Sequence, residues 1–109
     1  MTETLQEEAI FSAFGPESDL FELVEMFVAD LPDRIATLET TYAQQRWEEL
    51  RRTAHQLKGA SGSYGFHQIT PYAAALEIAV RDMAPTDEIQ RHLVKLVNLC
   101  RRLRARQPN

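Results

Sequence analysis

The chain has one cysteine, four glycines and no long apolar run, and each scarcity removes a class of protein. A lone thiol, Cys100, cannot close an internal disulfide, and such sparing use fits a reducing compartment. A bilayer span needs about 20 consecutive apolar residues, and no stretch here approaches that. The opening Met1-Thr2-Glu3-Thr4-Leu5-Gln6-Glu7-Glu8 is acidic where a signal peptide is basic and then apolar, so a cytoplasmic location is expected. Positive charge is not in excess: 12 Lys and Arg stand against 16 Asp and Glu, a net charge of −4. That balance argues against nucleic-acid binding through bulk charge. Strand-like alternation, internal repeats and low-complexity tracts are also missing. So is a glycine-rich loop following a strand, the cradle a nucleotide would require.

What remains is ordinary globular composition, 44% apolar and 26% charged over 109 residues, enough for one domain over residues 1–109 with a core of its own. Apolar spacing is helical nearly throughout, and five helices are expected. The first covers about 4–14, with Thr4 and Glu7 spaced as a capping box and Leu5, Ala9 and Phe11 or Phe14 turned inward. Gly15-Pro16 punctuates the chain before a second helix over about 17–44. Its stripe of Leu20, Leu23, Val24, Phe27, Val28, Leu31, Ile35, Leu38 and Tyr42 keeps phase across Pro32, which predicts one bent helix rather than two. A third covers about 46–62 and a fourth about 67–83, with Pro71 in its first turns and Ile69, Ala73, Leu76, Val80 and Met83 inward. Thr86 is expected to cap the fifth, with Asp87 and Glu88 at its positive end. That helix continues to about 104 through Ile89, Leu93, Leu96, Val97, Cys100 and Leu103. Arg101, Arg102 and Arg104 suit its negative end, with a docking patch as their second reading. Cys100 lies on the stripe and reads as a small core residue. The fold class is therefore all-α: an antiparallel four-helix bundle with a short additional N-terminal helix as a lid.

The third helix carries the chemistry. Each residue turns the helix by about 100°, so Leu50, Ala54, Leu57 and Ser61 form one apolar or small stripe, and His55 points well away from it. Arg51 and Lys58 flank His55 one turn to either side, Arg52 sits beside them, and Gly59 and Gly62 lie above it and leave the approach of a partner open. A core histidine would fall on the stripe and would not need three cations around it. This one is presented to a partner. His67 and His92 read as surface residues, and no two of the three histidines share a helix at ligand spacing, so no metal site is expected. Trp47 and Phe27 read as core. Phe11 and Phe14 are open to a second reading, as an apolar docking surface near His55.

The run Ala54-His55-Gln56-Leu57-Lys58-Gly59, followed by Ala60-Ser61-Gly62-Ser63-Tyr64-Gly65 and later by Leu76-Glu77, resembles the histidine-containing phosphotransfer (HPt) domain of phosphorelays. The likeness extends over nearly the whole chain, including the proline within the long second helix. It implies that His55 is the phosphorylated residue, Lys58 the cation beside the phosphoryl group, and Gly59 the gap that admits the partner's loop. Glu77, twenty-two residues after His55, matches the family position whose Gln or Glu holds the second imidazole nitrogen. A carboxylate accepting Nδ1–H fixes the tautomer and turns the Nε2 lone pair outward as a nucleophile. Tyr64, where the family commonly has a smaller aliphatic residue, is a mild departure that touches none of these roles.

The implied partner is a response-regulator receiver domain, with a hybrid sensor histidine kinase as a further candidate, and the protein is expected to act as a monomer. Arg51 and Arg52 would attract an acidic receiver pocket. No carboxylate cluster surrounds His55, so no cofactor is expected and Mg²⁺ would arrive with the receiver. Without a nucleotide loop, phosphorylation from ATP by the chain itself is not expected either. Two other classes stay in view. A module that sequesters a receiver or kinase without relaying phosphate would have no need to keep His55, Lys58 and Gly59 together. A histidine-based phosphatase would need convergent acid, base and anion-binding groups that the sequence does not offer.

Overall fold

The computed structural model describes residues 8–106. Its elements run β1 (Ile10–Phe11), α1 (Phe21–Ala43), α2 (Trp47–Ser63), α3 (Thr70–Arg81), α4 (Thr86–Cys100) and β2 (Leu103–Arg104). Four helices close around one core, drawn from Val24, Phe27, Leu31 and Leu38 of α1, Leu50, Ala54 and Leu57 of α2, Leu76 of α3 and Leu96 of α4. The expected stripes of α2 and α4 are buried as predicted, including Ser61 and Cys100. Trp47 packs against the core from its edge, and Phe27 lies within it. Burial pushes the Cys100 thiol up to about 12, so it stays protonated.

α1 runs unbroken through Pro32, as its unbroken stripe required. Its first turns differ from expectation: residues 16–20 form turns instead of helix, and Leu20 and Leu23 are exposed. The helix-favouring phase was right, but these two side chains sit at the edge of the stripe, beyond the reach of the other helices.

Three helices end in the same way, and this accounts for several boundaries. After α1, Gln45 N–H donates to the Tyr42 carbonyl and Arg46 N–H to that of Thr41. After α2 the pairs are Gly65 to Gly62 and Phe66 to Ser61, and after α3 they are Met83 to Val80 and Ala84 to Ala79. These are Schellman caps, in which the residue past the helix takes a left-handed conformation. Gln45 and Met83 both have φ of 57°, and Gly65 has φ of 85°. Met83, expected inward, is 86% exposed because the cap turns its side chain out. Only Gly65 is required by its surroundings, since a Cβ there would lie 2.5 Å from Ser12 Oγ. Phe66, just beyond it, is fully buried although the sequence pattern did not single it out. α3 starts at Thr70, three residues later than expected, with Pro71 in its first turn. α4 starts at Thr86, with Pro85 in the N-cap position and no side-chain cap, so Thr86 does not serve as one.

Among the described residues, the expected N-terminal helix is absent. Its residues 4–7, with Thr4, Leu5 and Glu7, lie outside the described residues. Residues 8–14 are extended, and Ala9 is exposed while Ile10 is buried. β1 pairs in parallel with β2, so the chain past α4 is strand rather than a continuation of helix to 104. The segment is fastened from both sides. Ile10 N–H donates to the Arg102 carbonyl at 2.7 Å, and Arg102 Nε donates to that of Glu8 at 2.7 Å. Ala13 N–H donates to the Gly65 carbonyl at 2.9 Å, and buried Ser12 Oγ donates to that of Tyr64 at 2.6 Å. The arginines after α4 therefore do more than complement a helix dipole: Arg102 holds the first segment, and Arg101 pairs with Glu39 of α1 at 3.5 Å. Arg104 still serves the helix end, donating to the Arg101 carbonyl. Phe14 packs against the core, and Phe11 lies under the Arg106 guanidinium, 5.3 Å from its ring centroid. This segment meets the cap just past α2, at Tyr64 and Gly65, about 14 Å along the helix axis from His55, so the structure does not set either phenylalanine beside that histidine.

Candidate functional site

α2 and α3 are the most closely packed pair of helices, and the candidate site lies across their seam. The small residues Ser61 and Gly62 face Thr70 at the start of α3, with Ser61 Oγ 3.4 Å from Thr70 Oγ1. Ala73, Leu76, Ala79 and Val80 then bury one flank of α3, which leaves Glu77 at the seam with only 14% of its side chain exposed.

From α2, three nitrogen-bearing side chains converge on this carboxylate. His55 Nδ1 lies 2.8 Å from Glu77 Oε2, and Lys58 Nζ lies 2.9 Å from Glu77 Oε1. Arg51 Nη1 is 3.8 Å from Oε2, inside ion-pair range but beyond a hydrogen bond. The hydrogen bond from Lys58, helped by that from His55, holds the Glu77 carboxyl below the usual carboxylate range, against the opposing effect of burial. Glu77 is thus ionised at neutral pH and accepts from both neighbours. An imidazole facing an ionised carboxylate donates through Nδ1–H, which leaves Nε2 as the nitrogen with a free lone pair. The His55 side chain is 60% exposed.

Arg51 is itself braced. Its Nε and Nη2 form a fork with Glu48 Oε1 and Oε2, one turn earlier on α2, and this pairing lowers the Glu48 carboxyl and raises the Arg51 guanidinium. Arg52 is farther out, 4.0 Å from Glu48 and 59% exposed. Gly59 is exposed, and a Cβ built on it would meet nothing within 4 Å. Gly62 is half-buried, with Thr70 Oγ1 3.6 Å from where its Cβ would be.

The residues singled out in the sequence are thus distributed unevenly. His55, Lys58, Glu77 and Arg51 form one connected cluster, Gly59 borders it as open surface, Gly62 lies in the helix seam, and Arg52 stands apart. Glu48 was not singled out, although its i, i+3 spacing to Arg51 marks a helix-surface ion pair. His67 is exposed and His92 is half-buried on α4. Among the described residues, no three or more His, Cys, Asp or Glu side chains gather closely enough to hold a metal ion.

A helical protein that offers one nitrogen of an exposed imidazole, with the other engaged by a neighbouring helix, belongs to a narrow class. The Hpt domain family matches residues 22–106 of the 109, and the chain belongs to that family. Membership places it in phosphorelay, two-component signalling: Hpt domains are phosphotransfer carriers that meet receiver domains and kinases. No curated protein and no solved structure matches the sequence. Among the described residues, no helix is long and apolar enough to cross a membrane.

Proposed function

We propose that this protein is a phosphorelay carrier in which His55 accepts a phosphoryl group from one receiver aspartate and gives it to another. The observation that carries the reading is the 2.8 Å contact of His55 Nδ1 with Glu77, which leaves Nε2 available on a largely exposed ring. The Nε2 lone pair attacks the phosphorus of a receiver's aspartyl phosphate. The bond from phosphorus to the aspartate oxygen breaks, and the aspartate leaves as a carboxylate. The ring keeps its Nδ1 proton and so becomes a cation facing Glu77, whose negative charge stabilises it. The reverse transfer retraces the same path. Such a transfer depends on alignment and charge neutralisation more than on covalent help.

Lys58 supplies the local cation for the phosphoryl group in this reading, and Arg51 and Arg52 draw in an acidic receiver pocket. Gly59 leaves room for the receiver's active-site loop, and Gly62, whose Cβ would stand in ordinary contact 3.6 Å from Thr70 Oγ1, keeps the next turn of that face low. The receiver brings Mg²⁺, so the protein needs no cofactor and does not phosphorylate itself from ATP. A cytoplasmic monomer suits this role. Connections of three, six and four residues between helices favour an antiparallel bundle.

The test is direct. After incubation with a phosphorylated receiver, the protein should carry an acid-labile, alkali-stable phosphate, and His55→Gln should lose it. Label that persists in His55→Gln would overturn the assignment. Tight receiver binding with no phosphate on wild-type protein would point to a sequestering module.

A further inference from the structure

Lys58 is already occupied. Its ammonium sits 2.9 Å from Glu77 Oε1, on the Nδ1 side of the imidazole, whereas a phosphoryl group would be attached at Nε2 on the opposite side of the ring. To neutralise that group Lys58 must turn away from Glu77. The turn would leave a carboxylate that is only 14% exposed held on the Oε2 side alone, by the charged ring, with the hydrogen bond to Oε1 unmade. Without a second cation to take the place of Lys58, the carboxylate is tethered only by the ring it is meant to orient, and can rotate together with it.

We propose that Arg51 is that replacement: a positioning residue, braced by Glu48, that takes up the Glu77 carboxylate when Lys58 turns to a phosphoryl group on His55. The inference rests on the proposed function. Two features favour Arg51. Its Nη1 lies 3.8 Å from Glu77 Oε2, so closing by about 1 Å brings it to a charge-assisted hydrogen bond. Its Nε and Nη2 are spent on Glu48, which aims the guanidinium while leaving Nη1 available, and a planar five-donor group can serve two carboxylates at once. Arg81, one turn beyond Glu77 on α3, is the other cation within range. It is 62% exposed and turned to Asp82 at 3.0 Å.

Imidazole ¹⁵N spectra at neutral pH test this without any transfer reaction. In free protein Arg51→Gln should leave the Nδ1–H tautomer of His55 dominant, because Lys58 still holds Glu77. Lys58→Ala should leave it dominant too, because Arg51 closes in. The double variant should shift the tautomer ratio by at least about threefold beyond the product of the two single changes, since each single variant keeps one cation to hold Glu77 in position and the double variant keeps neither. Single effects that simply multiply would overturn the proposal. Once His55 is phosphorylated, Arg51→Gln alone should shorten the phosphohistidine lifetime and speed exchange of the Nδ1 proton several-fold. Equal lifetimes in wild type and Arg51→Gln would overturn it as well. Backbone amide spectra establish that each variant is folded. Coupling in the tautomer ratio together with no uptake of phosphate from a receiver would refute the proposed function and not the link between Arg51 and Glu77.

Discussion

On the proposed function, Gly59 separates what the fold needs from what a partner needs. It sits within α2, where glycine costs about 1 kcal/mol relative to alanine because it gives up more backbone freedom on folding. Nothing in the protein asks for that sacrifice. A Cβ at Gly59 meets no atom within 4 Å, and the residue has no left-handed φ that would exclude a side chain. Gly59→Ala should therefore stabilise the protein by about 1 kcal/mol, which for a domain of this size raises Tm by about 4 °C. Thermal and urea unfolding, followed by circular dichroism, measure this directly. Gly59→Leu should fold equally well, since leucine is a good helix former and its side chain projects into solvent. Transfer from a phosphorylated receiver should nonetheless fall by about tenfold or more, equivalent to about 1.4 kcal/mol, because the side chain occupies the approach one turn from His55. If Gly59→Ala destabilises the protein, the account of α2 is wrong. If Gly59→Leu transfers at the wild-type rate, Gly59 is not an access point.

Gly65 should behave in the opposite way. Its φ of 85° and a Cβ position 2.5 Å from Ser12 Oγ and 2.9 Å from Ala13 N mean that Gly65→Ala should cost about 1–3 kcal/mol in urea denaturation; a neutral result would contradict the fastening of the first segment to the α2 cap. Glu77 should leave a signature in acid. Its folded-state carboxyl is held below the ordinary glutamate value, chiefly by the hydrogen bond from Lys58, so its stabilising contribution is complete above that ordinary value and is lost as pH falls through the lower, folded one. The excess stability of wild type over Glu77→Gln should thus persist down to about pH 5 and shrink below it, and a difference that stays constant into strong acid would refute the pairing. Cys100, fully buried and with its thiol raised to about 12, should resist thiol reagents at pH 8 in folded protein and react at once in urea. Rapid labelling of native protein would place it at the surface.

The parts of this fold that were legible in the sequence are those decided by local spacing. α2 and α4 follow from their apolar period, and α1 was recognisable as one helix because its stripe crosses Pro32 in phase. The first segment was not legible, for a physical reason. Leu5, Ala9 and the phenylalanines have helix-like spacing, yet residues 8–14 are held by bonds to residues 52 and 94 positions away in sequence. Such long-range partners leave no local trace. The caps were hidden similarly, because Gln45 and Met83 take left-handed conformations without the glycine that would have announced them. At the site, the pairing of His55 with Glu77 was available only through the family resemblance, since helical spacing says nothing about which residues of two helices will meet. The same limit explains Lys58. Its position one turn from His55 was readable, but its engagement with Glu77 depends on how α2 and α3 dock.

That the orienting carboxylate comes from another helix has a consequence for the chemistry. The same-helix neighbours of His55 at i±3 and i±4 are Arg51, Arg52, Lys58 and Gly59, three cations and a gap. In the proposed relay, a carboxylate at any of these positions would set a negative charge on the face offered to a dianionic phosphoryl group and an acidic receiver pocket, repelling both. Placed on α3 instead, the charge of Glu77 lies in the helix seam, 14% exposed and covered by Lys58 and Arg51, so it acts on Nδ1 while the approach to Nε2 stays positive. It also ties the ring to a second rigid body, because α3 is anchored by Ala73, Leu76, Ala79 and Val80. Moving the acid onto α2, as in Gly59→Glu with Glu77→Gln, would keep the charge count and still lose both advantages, since a hydrogen bond made along one exposed helix face neither shields its charge nor fixes the ring against a neighbour.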